Sequence, residues 1–105
     1  MEGLIMFARL TIVPQIKVDR IDEATQFFEE NIVPASKSQK GYRGAWLLID
    51  RTTGKGVAIT MWDSEKDAIT NEKSGYYQEQ LVKFMGFLVS PSYIREGYEV
   101  VVQAE

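Results

Sequence analysis

Residues 41–62 read GYRGAWLLIDRTTGKGVAITMW. Two apolar runs enclose the polar, glycine-bearing segment Asp50-Arg51-Thr52-Thr53-Gly54-Lys55-Gly56. That is the pattern of a β-hairpin with a loop longer than two residues. Strand alternation places Tyr42, Gly44, Trp46 and Leu48 on one face and Arg43, Ala45, Leu47 and Ile49 on the other. In the second strand Val57, Ile59 and Met61 oppose Ala58, Thr60 and Trp62. Both faces are mostly apolar, whereas a hairpin with one face in water alternates more cleanly. Something must therefore cover each face.

Upstream, Leu4 to Val13 reads as a strand, again apolar on both faces apart from Arg9 and Thr11, and Pro14 ends it. Asp19 is placed to cap a helix carrying the stripe Ile21, Ala24, Phe28 and Ile32. Pro34 should break or kink that helix, which ends near Ser38. Downstream, Ser64-Glu65-Lys66-Asp67 resembles a capping box directly behind Trp62. Its helix is short, with Ala68 and Ile69 as its apolar residues, and Ser74-Gly75 starts another with the stripe Tyr77, Leu81, Phe84 and Leu88. Ser90-Pro91 closes it, and Tyr93 to Gln103 reads as the last strand.

The order β-α-β-β-α-β predicts an α+β, ferredoxin-like domain over residues 1–105: a four-stranded antiparallel sheet with the helices on one face. An identical subunit is the simplest cover for the other face, which predicts a two-fold homodimer. The face expected to meet the partner carries Ile5, Phe7 and Val13, with Arg9 beside them and Asp50 or Glu99 as its counter-ion.

Composition narrows the chemistry. Lys and Arg number 12, Asp and Glu 15, so the net charge of −3 does not favour nucleic acid or an anionic membrane. No apolar run suits a signal peptide or a membrane span, so a cytoplasmic protein is expected. The chain has no Cys and no His. A disulfide, a thiolate metal site and a Ser-His-Asp triad are thereby excluded, and the usual haem ligands are absent. No metal or cofactor is expected, and tight haem binding is not.

In the strand Ala8-Arg9-Leu10-Thr11-Ile12, in Gly41-Tyr42-Arg43-Gly44, and in Trp62-Asp63-Ser64-Glu65-Lys66-Asp67-Ala68, the sequence resembles the antibiotic-biosynthesis-monooxygenase-like family of the dimeric α/β-barrel superfamily. The resemblance implies a dimer whose sheets face each other as a barrel, with a pocket between sheet and helices in each subunit. Many members carry a His nine residues after the Trp, and a second in a Ser-Pro-His-Phe region. Here Asn71 and the stretch Ser74-Gly75-Tyr76-Tyr77 stand in those places. The haem-degrading branch uses an Asn, a Trp and a His where this chain has Ala8, Asn71 and Leu81, which speaks against haem degradation of that kind.

By resemblance, the expected activity is cofactor-independent monooxygenation of an aromatic or quinol-like small molecule. The alternatives are a non-catalytic dimer that binds a small apolar molecule or serves a structural role, and an isomerase or dehydratase. The candidate substrate-binding residues are Trp62, Asn71, Tyr76, Tyr77 and Trp46. Trp62 reads as a wall for a flat ligand or as a core residue at the strand-to-helix corner. Asn71 and Tyr76, at the helix break, read as donors to a ligand oxygen or as a helix terminus and a surface residue. Tyr77 belongs to the pocket or to the core stripe. Tyr42 and Trp46, expected on one hairpin face, line the pocket or pack across strands. No catalytic residue is assigned.

Overall fold

The computed structural model describes residues 6–104. Four strands, β1 (Phe7–Val13), β2 (Tyr42–Ile49), β3 (Gly56–Trp62) and β4 (Ile94–Glu99), form an antiparallel sheet in the order β2-β3-β1-β4. The helices α1 (Ile21–Phe27), α2 (Val33–Lys37), α3 (Glu65–Glu72) and α4 (Gly75–Phe84) complete the ferredoxin-like plan. Leu4 and Ile5, expected in the first strand, lie outside the described residues.

The hairpin forms as its pattern demands. Asp50 Oδ1 accepts the backbone N–H groups of Thr52 and Thr53 at 2.9 and 3.2 Å, which folds the loop back on itself. Gly54 sits at φ 85° and its carbonyl accepts the Ile16 N–H at 2.7 Å, so the loop is stitched to the segment after β1. A side chain at Gly54 would run into the Ile16 carbonyl.

The first helix differs from expectation in its start and its middle. Asp19 lies inside a 3₁₀ turn (Val18–Arg20) and caps nothing. Between α1 and α2 the helix widens into a π turn, Phe28–Ile32, where the Val33 N–H donates to the Phe28 carbonyl. Pro34 follows at once, in the first turn of α2, where a missing N–H costs least. The helix thus passes its proline and reaches Lys37. Ser64 and Ser74 cap α3 and α4 as expected, accepting the N–H groups of Asp67 at 3.1 Å and Tyr77 at 3.4 Å. α4 ends at Phe84, short of Ser90-Pro91, in a 3₁₀ turn (Met85–Phe87). Leu88 then bridges to Ile16. β4 is shorter than expected as well. Val100 adds one rung to Met6 (2.9 Å), while Val101 and Val102 are largely exposed.

The core lies between the sheet and the helices. Ile21, Ala24, Phe28, Ile32, Tyr77, Phe84 and Leu88 pack against Val13, with Ala45, Leu47, Ile49 and Ala58 below them. This corrects the expected use of the two sheet faces. Val13 is buried under the helices, and Arg9 reaches Glu72 of α3, so the face carrying Phe7, Arg9, Thr11 and Val13 is the helix-covered one. The uncovered face carries Ala8, Leu10 and Ile12 of β1, flanked through the register by Val57, Ile59 and Met61 of β3 and by Ile94, Glu96 and Tyr98 of β4. Trp46 and Leu48 extend it on β2, each half-exposed. A β-bulge between Tyr42 and Gly44 overturns the expected sharing of a face by Tyr42 and Trp46. Tyr42 packs edge-on against Trp62, with ring centroids 5.9 Å apart, while the Trp46 ring covers Gly44 on the open side.

Candidate functional site

An apolar cavity of ≈ 30 Å³ lies between the sheet and α4. Thr11, Leu47 and Ala58 form its sheet side, Phe28 and Ile32 of the π turn one wall, and Tyr77, Leu81 and Phe84 of α4 the other. Met85, Leu88 and Tyr93 close the end. The volume suits about one or two water molecules. An aromatic ligand enters only if lining side chains such as Leu81 and Met85 move aside. Met85 is the residue type that yields most readily.

Charged groups gather at the Tyr77 side. Arg9 of β1 holds Glu72 of α3 through a forked pair, with Arg9 Nη2 3.0 Å from Glu72 Oε1. Glu72 is the counter-ion, in place of the expected Asp50 or Glu99, because alternation turns Arg9 toward the helices and α3 crosses above it. Arg95 of β4 reaches the same carboxylate, its Nη1 3.8 Å from Glu72 Oε1. Arg95 also donates from Nε to Thr11 Oγ1 at 3.5 Å and lies 5.1 Å over the Tyr93 ring. Thr11 and Tyr93 both line the cavity, so Arg95 stands directly behind its wall.

Three features of this cluster bear on chemistry. Two guanidinium groups share the one carboxylate within ion-pair distance, with the Glu65 carboxylate acting on Arg9 from further off. Arg95 Nη2 is buried and has no hydrogen-bond partner among the described residues. The Tyr77 hydroxyl, on a residue that is 7% exposed, titrates above the ordinary 10.0, chiefly because burial disfavours its anion. Tyr77 is therefore a neutral hydrogen-bond donor at pH 7. Among the described residues no group of three or more carboxylates could hold a metal ion.

The five residues singled out in the sequence are not brought together. Tyr77 lines the cavity. Trp62 is fully buried at the end of β3, where Nε1 donates to Thr60 Oγ1 at 2.9 Å. Asn71 is buried in the last turn of α3; its backbone carbonyl accepts the Ser74 N–H at 3.0 Å, and its Oδ1 has no partner among the described residues. Tyr76 is exposed on α4, and Trp46 lies on the open sheet face, across the sheet from the cavity. Sequence reading passed over Arg95, Glu72 and Tyr93. The signal for Arg95 was present in strand register: it lies opposite Thr11 and hence on the face of Arg9.

No family model matches the sequence. Two uncharacterized proteins of Mycobacterium tuberculosis are each 28% identical over 50 residues, 48% of this chain. The match spans 22% of the length of either relative. Solved structures match nearly the whole chain. A candidate antibiotic biosynthesis monooxygenase from Caulobacter crescentus superposes with a TM-score of 0.76 at 11% identity, over 92% of this chain and 91% of the other. A conserved protein from Methanosarcina mazei gives 0.74 at 10% identity, over 91% and 93%. SnoaB, a cofactor-independent oxygenase from Streptomyces nogalater, gives 0.63 at 13% identity, over 96% and 94%. At such identities the likeness is one of fold. The chain has the ferredoxin-like fold of the antibiotic-biosynthesis-monooxygenase-like proteins. Among the described residues no helix is long and apolar enough to cross a membrane.

Proposed function

We propose that the cavity binds a small aromatic or quinol-like molecule as its anion, and that the bound anion reacts with oxygen without a cofactor. The observation that carries this reading is the buried, unpartnered Arg95 Nη2 behind an apolar cavity, beside the neutral Tyr77 hydroxyl. A buried donor without a partner costs about 1–3 kcal/mol, more when charged, and an anionic ligand oxygen would recover that cost. The second guanidinium of the Arg9–Glu72–Arg95 cluster favours the same ligand. SnoaB, of the same fold, is a cofactor-independent oxygenase, which supports the reaction class.

In that reaction a deprotonated anthrone or quinol gives an electron to oxygen, the substrate radical and superoxide combine as a peroxide anion, and this takes back the proton lost by the substrate to become a hydroperoxide. Loss of water then leaves a ketone or quinone. For an anthrone, one oxygen atom enters the product and the other leaves as water. The chain would hold the anion beside Tyr77, reach Arg95 only where Thr11 or Tyr93 gives way, and keep bulk water out.

The open sheet face supports a homodimer in this reading. Trp46, Leu48 and Ile94 are more than half exposed beside Leu10, Ile12 and Ile59, and a second copy would bury them all. The small cavity favours a second reading, a dimer of the same fold that binds a small molecule or serves a structural role without catalysis. Oxygen uptake with anthrones, quinols and catechols in metal-free buffer separates the two. Saturable uptake, with ketone or quinone formed and with loss in Arg95→Met, is expected. Ligand binding without uptake would establish the non-catalytic reading.

A further inference from the structure

We propose that a second, outward-facing groove is a docking site for an arginine side chain carried by a basic segment of a partner protein. The groove measures ≈ 230 Å³ and is lined by Glu23, Gln26, Phe27, Glu30, Asn31 and Phe87. The Phe27 and Phe87 rings, 5.8 Å apart and tilted by 51°, form its aromatic floor. Two exposed carboxylates, Glu23 and Glu30, stand along it.

One end already displays the recognition chemistry. The Arg20 guanidinium lies 4.6 Å over the Phe87 ring, and its Nε and Nη2 each donate to one oxygen of Glu23 at 3.2 Å. A flat cation on an aromatic face with a forked carboxylate at its edge is a favourable arrangement for arginine. The other end offers the same parts without the cation. Phe27 supplies the ring and Glu30 the carboxylate, and the hydrogen-bond partner of Glu30 is the neutral Gln26 amide at 3.2 Å. Among the described residues Glu30 forms no salt bridge.

The π turn makes this placement possible. It sets Glu30 and Asn31 on the groove while Phe28 and Ile32, from the same turn, face the inner cavity. Such turns concentrate at functional positions. The groove is open to solvent and is carried by a chain of net charge −3. An extended basic segment fits that shape and charge better than a small ligand, which is normally enclosed.

The test is an NMR titration of the ¹⁵N-labelled full chain with a capped peptide of two arginines flanked by glycines. Saturable shifts at the Gln26 and Asn31 side-chain amides are expected. The same peptide with citrulline, isosteric and neutral, should produce none. Glu30→Gln should weaken binding by up to about five-fold, the range of one exposed ion pair, and Glu30→Lys should abolish it. Glu30 is exposed, so both variants should fold, which their circular dichroism checks. Equal shifts with citrulline, or an unchanged affinity in Glu30→Lys, would overturn the proposal. Methylguanidinium binding as tightly as the peptide would also overturn it, because the groove would then be a small-cation site.

Discussion

Replacing Glu72 by Gln tests whether Arg9 and Arg95 share the one close carboxylate of their cluster. The three side chains are 19%, 16% and 20% exposed, so the cluster lies near the buried limit. Removing one partner of a fully buried pair costs about 3–5 kcal/mol, while an exposed pair is worth about 0.2–1. With a sixth to a fifth of each group in solvent, Glu72→Gln should cost roughly 2–3 kcal/mol, because it leaves two guanidiniums facing each other with only the more distant Glu65 carboxylate to offset them. In a domain of this size that lowers Tm by about 10 °C or more. Arg95→Met should behave differently. It gives up a 3.8 Å ion pair, the long hydrogen bond to Thr11 and the contact with Tyr93, but it also removes an unsatisfied buried donor and one of the two cations that share Glu72. Its cost should stay within about 1 kcal/mol. The double variant Glu72→Gln/Arg95→Met should recover part of the loss, since Arg9 then no longer faces a second guanidinium. Denaturant unfolding of the three variants, repeated at low and high salt, measures each quantity. Added salt should rescue Glu72→Gln in particular. Equal destabilisation by Glu72→Gln and Arg95→Met, or no recovery in the double variant, would refute the shared-carboxylate argument and the anion site built on it.

Leu10→Glu, in the middle of the open sheet face, should convert a dimer to a folded monomer in sedimentation equilibrium. A wild-type monomer at micromolar concentration would remove the dimer reading. Tyr77→Phe should change stability by less than about 1 kcal/mol at pH 7 and lower ligand affinity or turnover. Because burial raises the Tyr77 pKa above 10.0, its stabilising effect holds below that value and fades as pH climbs through the raised one. Tyr77→Phe should therefore resist alkaline unfolding better than the wild type, which melting curves above pH 10 check. The Thr52 and Thr53 N–H groups hold the Asp50 carboxyl below 3.8. Its support for the hairpin is complete above that value and is lost as pH falls through the lowered one. The advantage of wild type over Asp50→Ala in thermal melts should vanish there.

Much of the fold was legible because local signals agreed with one another. The loop at Asp50–Lys55, the caps at Ser64 and Ser74 and the stripe of Tyr77, Leu81 and Phe84 each rest on neighbours in sequence. The face of β1 was not legible for a physical reason. Arg9 and Thr11 made one side look suited to an interface, yet a carboxylate 63 residues away neutralises Arg9 under the helices. Ala8, Leu10 and Ile12, the more apolar set, are left outside. The cavity was illegible for the same reason. Its walls come from three strands and from helical segments distant in the chain, and the arginine behind it reads, in sequence, as an ordinary strand-edge charge. The bulge at Arg43, which moves Tyr42 across the sheet, has no signature in the alternation that it interrupts.

The place of β1 in the sheet also sets an order on how the molecule assembles. β1 is central, paired with β3 on one side and β4 on the other, and β4 is the strand furthest from it in sequence among the described residues. Docking β4 closes a loop of about 80 residues, against about six for the β2–β3 hairpin, an added entropic cost of about 2 kcal/mol. The hairpin and the capped helices can form early, and β4 zips on last. Tyr93 and Arg95 arrive with it. Late intermediates would then hold a nearly complete sheet and a paired Arg9–Glu72, but no closed cavity. Slow-refolding species should recover helical circular dichroism before they recover any ligand binding.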